Sequence, residues 1–90
     1  MSQPSIKMYT TRYCPYCTRA RALLQRKGVV VTEIDVGLDA ALWDEMEAIS
    51  GRDTVPQIFI GDLHIGGYDD MAALDMAGQL DALLFNTNPV

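Results

Sequence analysis

In "SIKMYT", residues 5–10, the period of apolar and polar positions predicts a short strand, and the loop after it carries Arg12 and Tyr13 to Cys14. From Pro15 the period lengthens to that of a helix running to about Lys27, with Ala20, Leu23 and Leu24 facing inward. Pro15 suits the first turn, where its missing N–H costs nothing, and Gly28 follows as the C′ residue. "VVVTEIDV" (29–36) is a β-branched run of the kind found in buried parallel strands. Strand, helix and strand within 36 residues make a βαβ unit, whose crossover is right-handed.

A second helix fits "DAALWDEMEAIS" (39–50): Leu42, Met46 and Ile49 recur at helical spacing as core positions, and Gly51 ends the run. Trp43 sits off that stripe, at the edge of the core. "QIFI" (57–60) and "HIGG" (64–67) read as strands of an antiparallel hairpin turning at "GD". A last helix is expected from about Asp69 to Leu84, with acids at its start and Leu74, Leu80, Leu83 and Leu84 inward. "NTNPV" reads as a frayed tail. The order βαβ, helix, β-hairpin, helix predicts an α/β fold of thioredoxin-like architecture: a four-stranded mixed sheet flanked by three helices. No linker or repeat interrupts it, so residues 1–90 read as one domain.

Composition and charge narrow the function classes. With 49% apolar and 21% charged residues the chain has the balance of a small folded protein. No run of about 18 apolar residues is present to cross a bilayer, and the N-terminus lacks the order of a secretory signal, so a cytosolic location is expected and no membrane partner. A net charge of −5 argues against nucleic acid, whose phosphates need a basic face. The distribution says more. Residues 1–30 carry six basic side chains (Lys7, Arg12, Arg19, Arg21, Arg26, Lys27) and no acid, whereas residues 31–90 carry all twelve acids and only Arg52. Arg26 and Lys27, near a helix end, suit the negative end of its dipole; Arg12, two residues before Cys14, is better placed for an electrostatic role.

Both cysteines lie in "CPYC" (14–17). A structural staple is disfavoured, because the cytosol keeps thiols reduced and a loop over two residues removes little entropy from the unfolded chain. A zinc site needs four ligands, and two cysteines with the remote His64 do not supply them. His64 reads as a structural or surface residue, and the five methionines as core filler. Chemistry remains. Cys14 falls at the start of the helix, where unpaired backbone N–H groups and the positive dipole end favour a thiolate, with Arg12 adding charge. Such surroundings pull a thiol below its free value of about 8.5. Cys17, on the same helix face but deeper, is the natural resolving thiol.

"CPYC", "TVPQIFI" and "HIGGYDD", in this order and at these spacings, closely resemble the small bacterial dithiol glutaredoxins across nearly the whole chain. The resemblance implies a glutathione-dependent thiol–disulfide oxidoreductase, with glutathione as co-substrate and no bound cofactor. Cys14 is then the nucleophile that takes the glutathionyl group, and Cys17 closes an intramolecular disulfide when protein disulfides are reduced. It also implies a cis Pro56, with Val55 offering its backbone to the cysteinyl part of glutathione like an added strand, and Thr54 supporting that edge. Gly67 and the backbone N–H groups of Tyr68, Asp69 and Asp70 are free to hold the γ-glutamyl carboxylate, and Asp70 or Asp69 its ammonium. For Asp69, simple N-capping is as good a reading. Tyr16 is expected to line the same groove, and Arg12 completes the set. The partners implied are glutathione and glutathionylated or disulfide-containing proteins, met by a monomer.

Two positions depart from the family pattern. Thr11 stands where many relatives have lysine, and Tyr68 where several bacterial relatives have a third cysteine. Two other readings stay open. A thioredoxin-like donor served by a flavoprotein reductase is disfavoured by the acidic pair after the glycines. A homodimer sharing a [2Fe–2S] cluster through Cys14 and glutathione is disfavoured by Pro15, since cluster-holding relatives tend to have a smaller residue there.

Overall fold

Alternation along the strands sorts the side chains onto two faces of one sheet. In β1 (Ile6–Thr10), Ile6 and Met8 point to one face and Tyr9 to the other; in β3 (Gln57–Ile60), Ile58 and Ile60 share the first face and Phe59 the second. The structure, a computed structural model, describes residues 5–85, so "NTNPV" lies outside the described residues. In the chain, α1 (Pro15–Arg26), β2 (Thr32–Asp35) and α2 (Ala40–Ser50) separate β1 from β3, and β4 (Leu63–Gly66), α3 (Tyr68–Met76) and α4 (Leu80–Phe85) follow it. The sheet order is β2-β1-β3-β4; β2 runs parallel to β1, while β3 pairs antiparallel with both β1 and β4. This is the mixed, thioredoxin-like sheet that the element order predicts. No helix among the described residues is long and apolar enough to cross a membrane.

Each face carries its own core. On one, Ala20, Leu23 and Leu24 of α1, Met71 of α3 and Leu80 and Leu84 of α4 close over Ile6, Met8, Ile58 and Ile60. On the other, α2 lays the fully buried Met46 against Tyr9, Val36 and Phe59, with Leu42 and Trp43 packed at the edge. Lys27, just past α1, ties this helix to the C-terminal pair through Asp75 (2.6 Å) and Asp81 (2.9 Å).

Four expectations need correction. The single last helix is two, giving four helices among the described residues where three were expected. Gly78 (φ 74°) takes the left-handed conformation, and the amides of Gly78 and Gln79 turn back to the carbonyls of Asp75 and Leu74, closing α3 in a Schellman motif before α4 begins. The β-branched run is not a buried strand throughout: β2 spans only Thr32–Asp35 at the sheet edge, mostly exposed, and its buried valines, Val29 and Val36, flank it. Ile49 is 51% exposed, because α2 covers its core with the Met46 side alone. Met76, expected as core filler with the other methionines, is exposed where α3 ends.

Candidate active site

Cys14 leaves the sheet with extended backbone (φ −134°, ψ 102°) and becomes the N-cap of α1, its Sγ accepting the Cys17 amide at 3.0 Å. Pro15 opens the helix without wasting a donor. Cys14 and Cys17 are joined as a disulfide, their Cα atoms 5.1 Å apart. Their burial differs: Cys17 is 1% exposed inside the first turn, and Cys14 reaches the surface at 9%. Of the two sulfurs, it is Cys14 Sγ that accepts a helix N–H. Cys14 Sγ also lies 3.7 Å from the Val55 carbonyl oxygen, so the loop before β3 passes directly over this sulfur.

That loop is one wall of a groove. The Val55–Pro56 peptide is cis, and Thr54, Val55 and Pro56 face Tyr16 of α1 and Gly67, Tyr68, Asp69 and Asp70 at the start of α3 around a volume of about 200 Å³. Tyr16 is half exposed, with the Arg19 guanidinium 5.3 Å over its ring. The helix begins without a side-chain cap from Gly67; instead the Asp70 carboxylate reaches back to the Gly67 N–H at 2.9 Å. Capping thus falls to Asp70, not Asp69.

Arg52 is the groove residue that sequence reading leaves out. Its Nη1 sits 2.9 Å from Asp70 Oδ2, and this hydrogen bond, with the Gly67 amide behind it, holds the Asp70 carboxyl below the usual carboxylate range. As the one cation of residues 31–90 it was visible, but nothing in its local pattern points at Asp70, eighteen residues on. Asp69 lines the groove without a hydrogen-bond or ion-pair partner among the described residues, which leaves its carboxylate available. Arg12 lies elsewhere. With Thr11, Tyr13, Leu38 and Trp43 it borders a second, mainly apolar hollow of about 490 Å³, on the α2 side of the loop that precedes Cys14.

Behind the groove, three polar side chains close on one another. Gln57, fully buried, donates through Nε2 to the Thr54 carbonyl (3.0 Å) and hydroxyl (3.1 Å), and its Oε1 lies 2.7 Å from His64 Nε2. His64 stacks on Phe59, ring centroids 4.8 Å apart. It is a half-buried structural residue, as its sequence context suggests.

The glutaredoxin family model matches residues 6–65. A glutaredoxin of Pseudomonas aeruginosa is 53% identical over 81 residues, covering 90% of this chain and 96% of the relative. Glutaredoxin 3 of Escherichia coli is 54% identical over 80 residues, covering 89% and 96%. Among solved structures, the solution structure of a Brucella melitensis glutaredoxin superposes with a TM-score of 0.85 at 48% identity, covering 100% of this chain and 98% of that one. A buckwheat glutaredoxin–glutathione complex superposes at 0.83 with 29% identity, covering 91% and 76%. With a C-x-x-C pair at the head of a helix in this fold, the chain belongs to the glutaredoxin family of thiol–disulfide oxidoreductases.

Proposed function

We propose that the chain reduces glutathione mixed disulfides and protein disulfides, taking glutathione in the groove beside Cys14. The observation that carries this reading is the placement of Cys14 Sγ, 3.7 Å from the Val55 carbonyl, where a groove leads from an exposed backbone edge to the N-terminus of α3. The Cys14 thiolate attacks the glutathionyl sulfur, the target thiolate leaves, and a mixed disulfide with glutathione forms on Cys14. A second glutathione thiolate attacks that bond, releasing oxidised glutathione and restoring the Cys14 thiolate. Across the cycle one disulfide is consumed and one formed. On a protein disulfide, Cys17 attacks the mixed disulfide instead and leaves the Cys14–Cys17 disulfide for glutathione to reduce.

In the groove the cysteinyl part of glutathione pairs with Val55 beside Pro56, and Tyr16 and Thr54 flank it. The γ-glutamyl carboxylate meets the free amides of Tyr68, Asp69 and Asp70 following Gly67. Asp69 takes the ammonium, since Asp70 already holds Arg52 and the Gly67 amide. The protein acts in the cytoplasm as a monomer, one domain over residues 1–90, on glutathionylated or disulfide-containing proteins rather than nucleic acid or membranes. It keeps no resident metal or cofactor.

Two serine variants test the assignment under one glutathione and glutathione reductase supply. Cys14→Ser is expected to be inactive on a glutathionylated peptide and on a disulfide-bonded protein. Cys17→Ser keeps its activity on the peptide, faster if anything, and loses activity on the protein disulfide. Loss of peptide activity in Cys17→Ser as complete as in Cys14→Ser would make the chain an obligate dithiol and favour a thioredoxin-like donor.

A further inference from the structure

Gln57 is a primary amide at 0% exposure, and an amide so placed is tolerated only when its donors and acceptor are all matched. Here they are matched in one orientation alone. The Thr54 carbonyl can only accept, so the Gln57 NH₂ must face it, at 3.0 Å. Oε1 then faces His64 Nε2 at 2.7 Å, which requires the proton on that ring nitrogen. The same NH₂ donates to Thr54 Oγ1 at 3.1 Å. A hydroxyl that accepts from the core on one side keeps its own proton for the other side. The other side of Thr54 is the groove, and among the described residues its hydroxyl has no acceptor of its own.

We propose that Gln57, oriented by His64, is a positioning residue that fixes the polarity of the Thr54 hydroxyl, so that its proton is presented to a carbonyl or carboxylate oxygen of the bound glutathionyl group. The hydrogen bonds run in one sense, from His64 to Gln57, from Gln57 to Thr54 and from Thr54 to the ligand, and bonds chained in this way reinforce one another. The inference rests on the reading above that Thr54 touches glutathione. Neither Gln57 nor His64 reaches the groove itself.

Four single variants and two double variants test it with a glutathionylated peptide. Thr54→Val removes the hydroxyl and should raise KM roughly 3- to 10-fold, the size of one neutral hydrogen bond, with kcat within about twofold; Thr54→Ser should restore it. Gln57→Glu keeps the shape but turns the donor into an acceptor, so the Thr54 proton swings inward and KM rises to the same degree. Gln57→Met, which buries no charge, should raise KM in the same direction and guards against misfolding of the glutamate form. In the Thr54→Val background neither Gln57 change adds anything. The iodoacetamide reactivity of reduced Cys14 stays at the wild-type rate throughout, which general damage to the fold would not allow. If Thr54→Val raises KM while both Gln57 variants leave it alone, or if the effects multiply in the double variants, the positioning role is overturned. If Thr54→Val has no effect, the contact between Thr54 and glutathione is itself wrong, and the inference falls with it.

Discussion

Two carboxylates stand side by side at the start of α3 and do different work. Asp70 is held by Arg52 and by the Gly67 amide, so its charge is spent inside the protein; Asp69 faces the groove without a partner among the described residues. Asp69→Asn should therefore raise KM for a glutathionylated peptide about tenfold or more, as a charge-assisted bond of roughly 1.5 to 3 kcal/mol is lost, and leave the urea midpoint unchanged. Asp70→Asn should lower the urea midpoint by undoing the cap. If the two variants trade these effects, the ammonium belongs to Asp70. Residue chemistry in sequence is legible where neighbours in the chain are also neighbours in space. Cys14, Pro15 and Cys17 share one helical turn, and their place at the helix head can be read from spacing alone. Arg52 and Asp70 meet across the β3–β4 hairpin, and the choice between two adjacent acids turns on that long-range contact.

At the scale of elements, the junction between β4 and α3 carries the tightest requirement. Gly66 adopts φ 113°, open to glycine and strained for other residues, and a Cβ there would collide with the Asp70 carboxylate. Gly66→Ala is expected to destabilise the fold by more than about 1 kcal/mol in urea unfolding, through backbone strain together with loss of the Asp70 cap. Gly78→Ala, where a Cβ meets nothing within 4 Å, should cost only the left-handed backbone term, about 1 kcal/mol. Equal costs for the two would show that the Asp70 contact is irrelevant. Glycines of this kind also mark where the helices stop. Gly28 closes α1 at the position its sequence predicts. Gly78 is an equal stop signal, but the leucines beyond it continue the helical period and mask the stop. β2 is shorter than its propensity for a related reason: Val29, Val30 and Val31 favour strand, yet pairing with β1 begins only at Thr32.

For the whole molecule, three groups make stability depend on acid in the same direction. Burial, and next the charge of Arg52, push His64 below its usual value, with Asp70 alone opposing; the uncharged Gln57 and Phe59 complete its surroundings. The folded state thus prefers neutral imidazole, and the stability from this group is complete above about pH 6.5 and is lost as pH falls from there through the folded value. Asp70 is lowered chiefly by Arg52, and Glu33 chiefly by its two-pronged bond to Arg21 (2.6 and 2.7 Å); their contributions are present above about pH 4 and vanish below it. Both carboxylates are partly exposed, so their effects are small and shrink with salt. Thermal unfolding from pH 8 to pH 3 should show a shallow decline below about 6.5 and a second, salt-sensitive one below about 4. His64→Gln should flatten only the first; a first decline that survives this change would place its origin elsewhere. The architecture was readable because βαβ, helix, hairpin and helix admit few arrangements. What no periodicity conveys is which walls close on which groove. That is why Trp43, which the sequence places only at the edge of the core, stands beside the loop leading into Cys14. As the chain's one tryptophan, it makes the protein its own optical gauge. A change in Trp43 emission across a glutathione redox titration would show, without any label, that opening the disulfide moves the loop of Thr11, Arg12 and Tyr13 that it borders; a flat emission would show that this loop keeps its place.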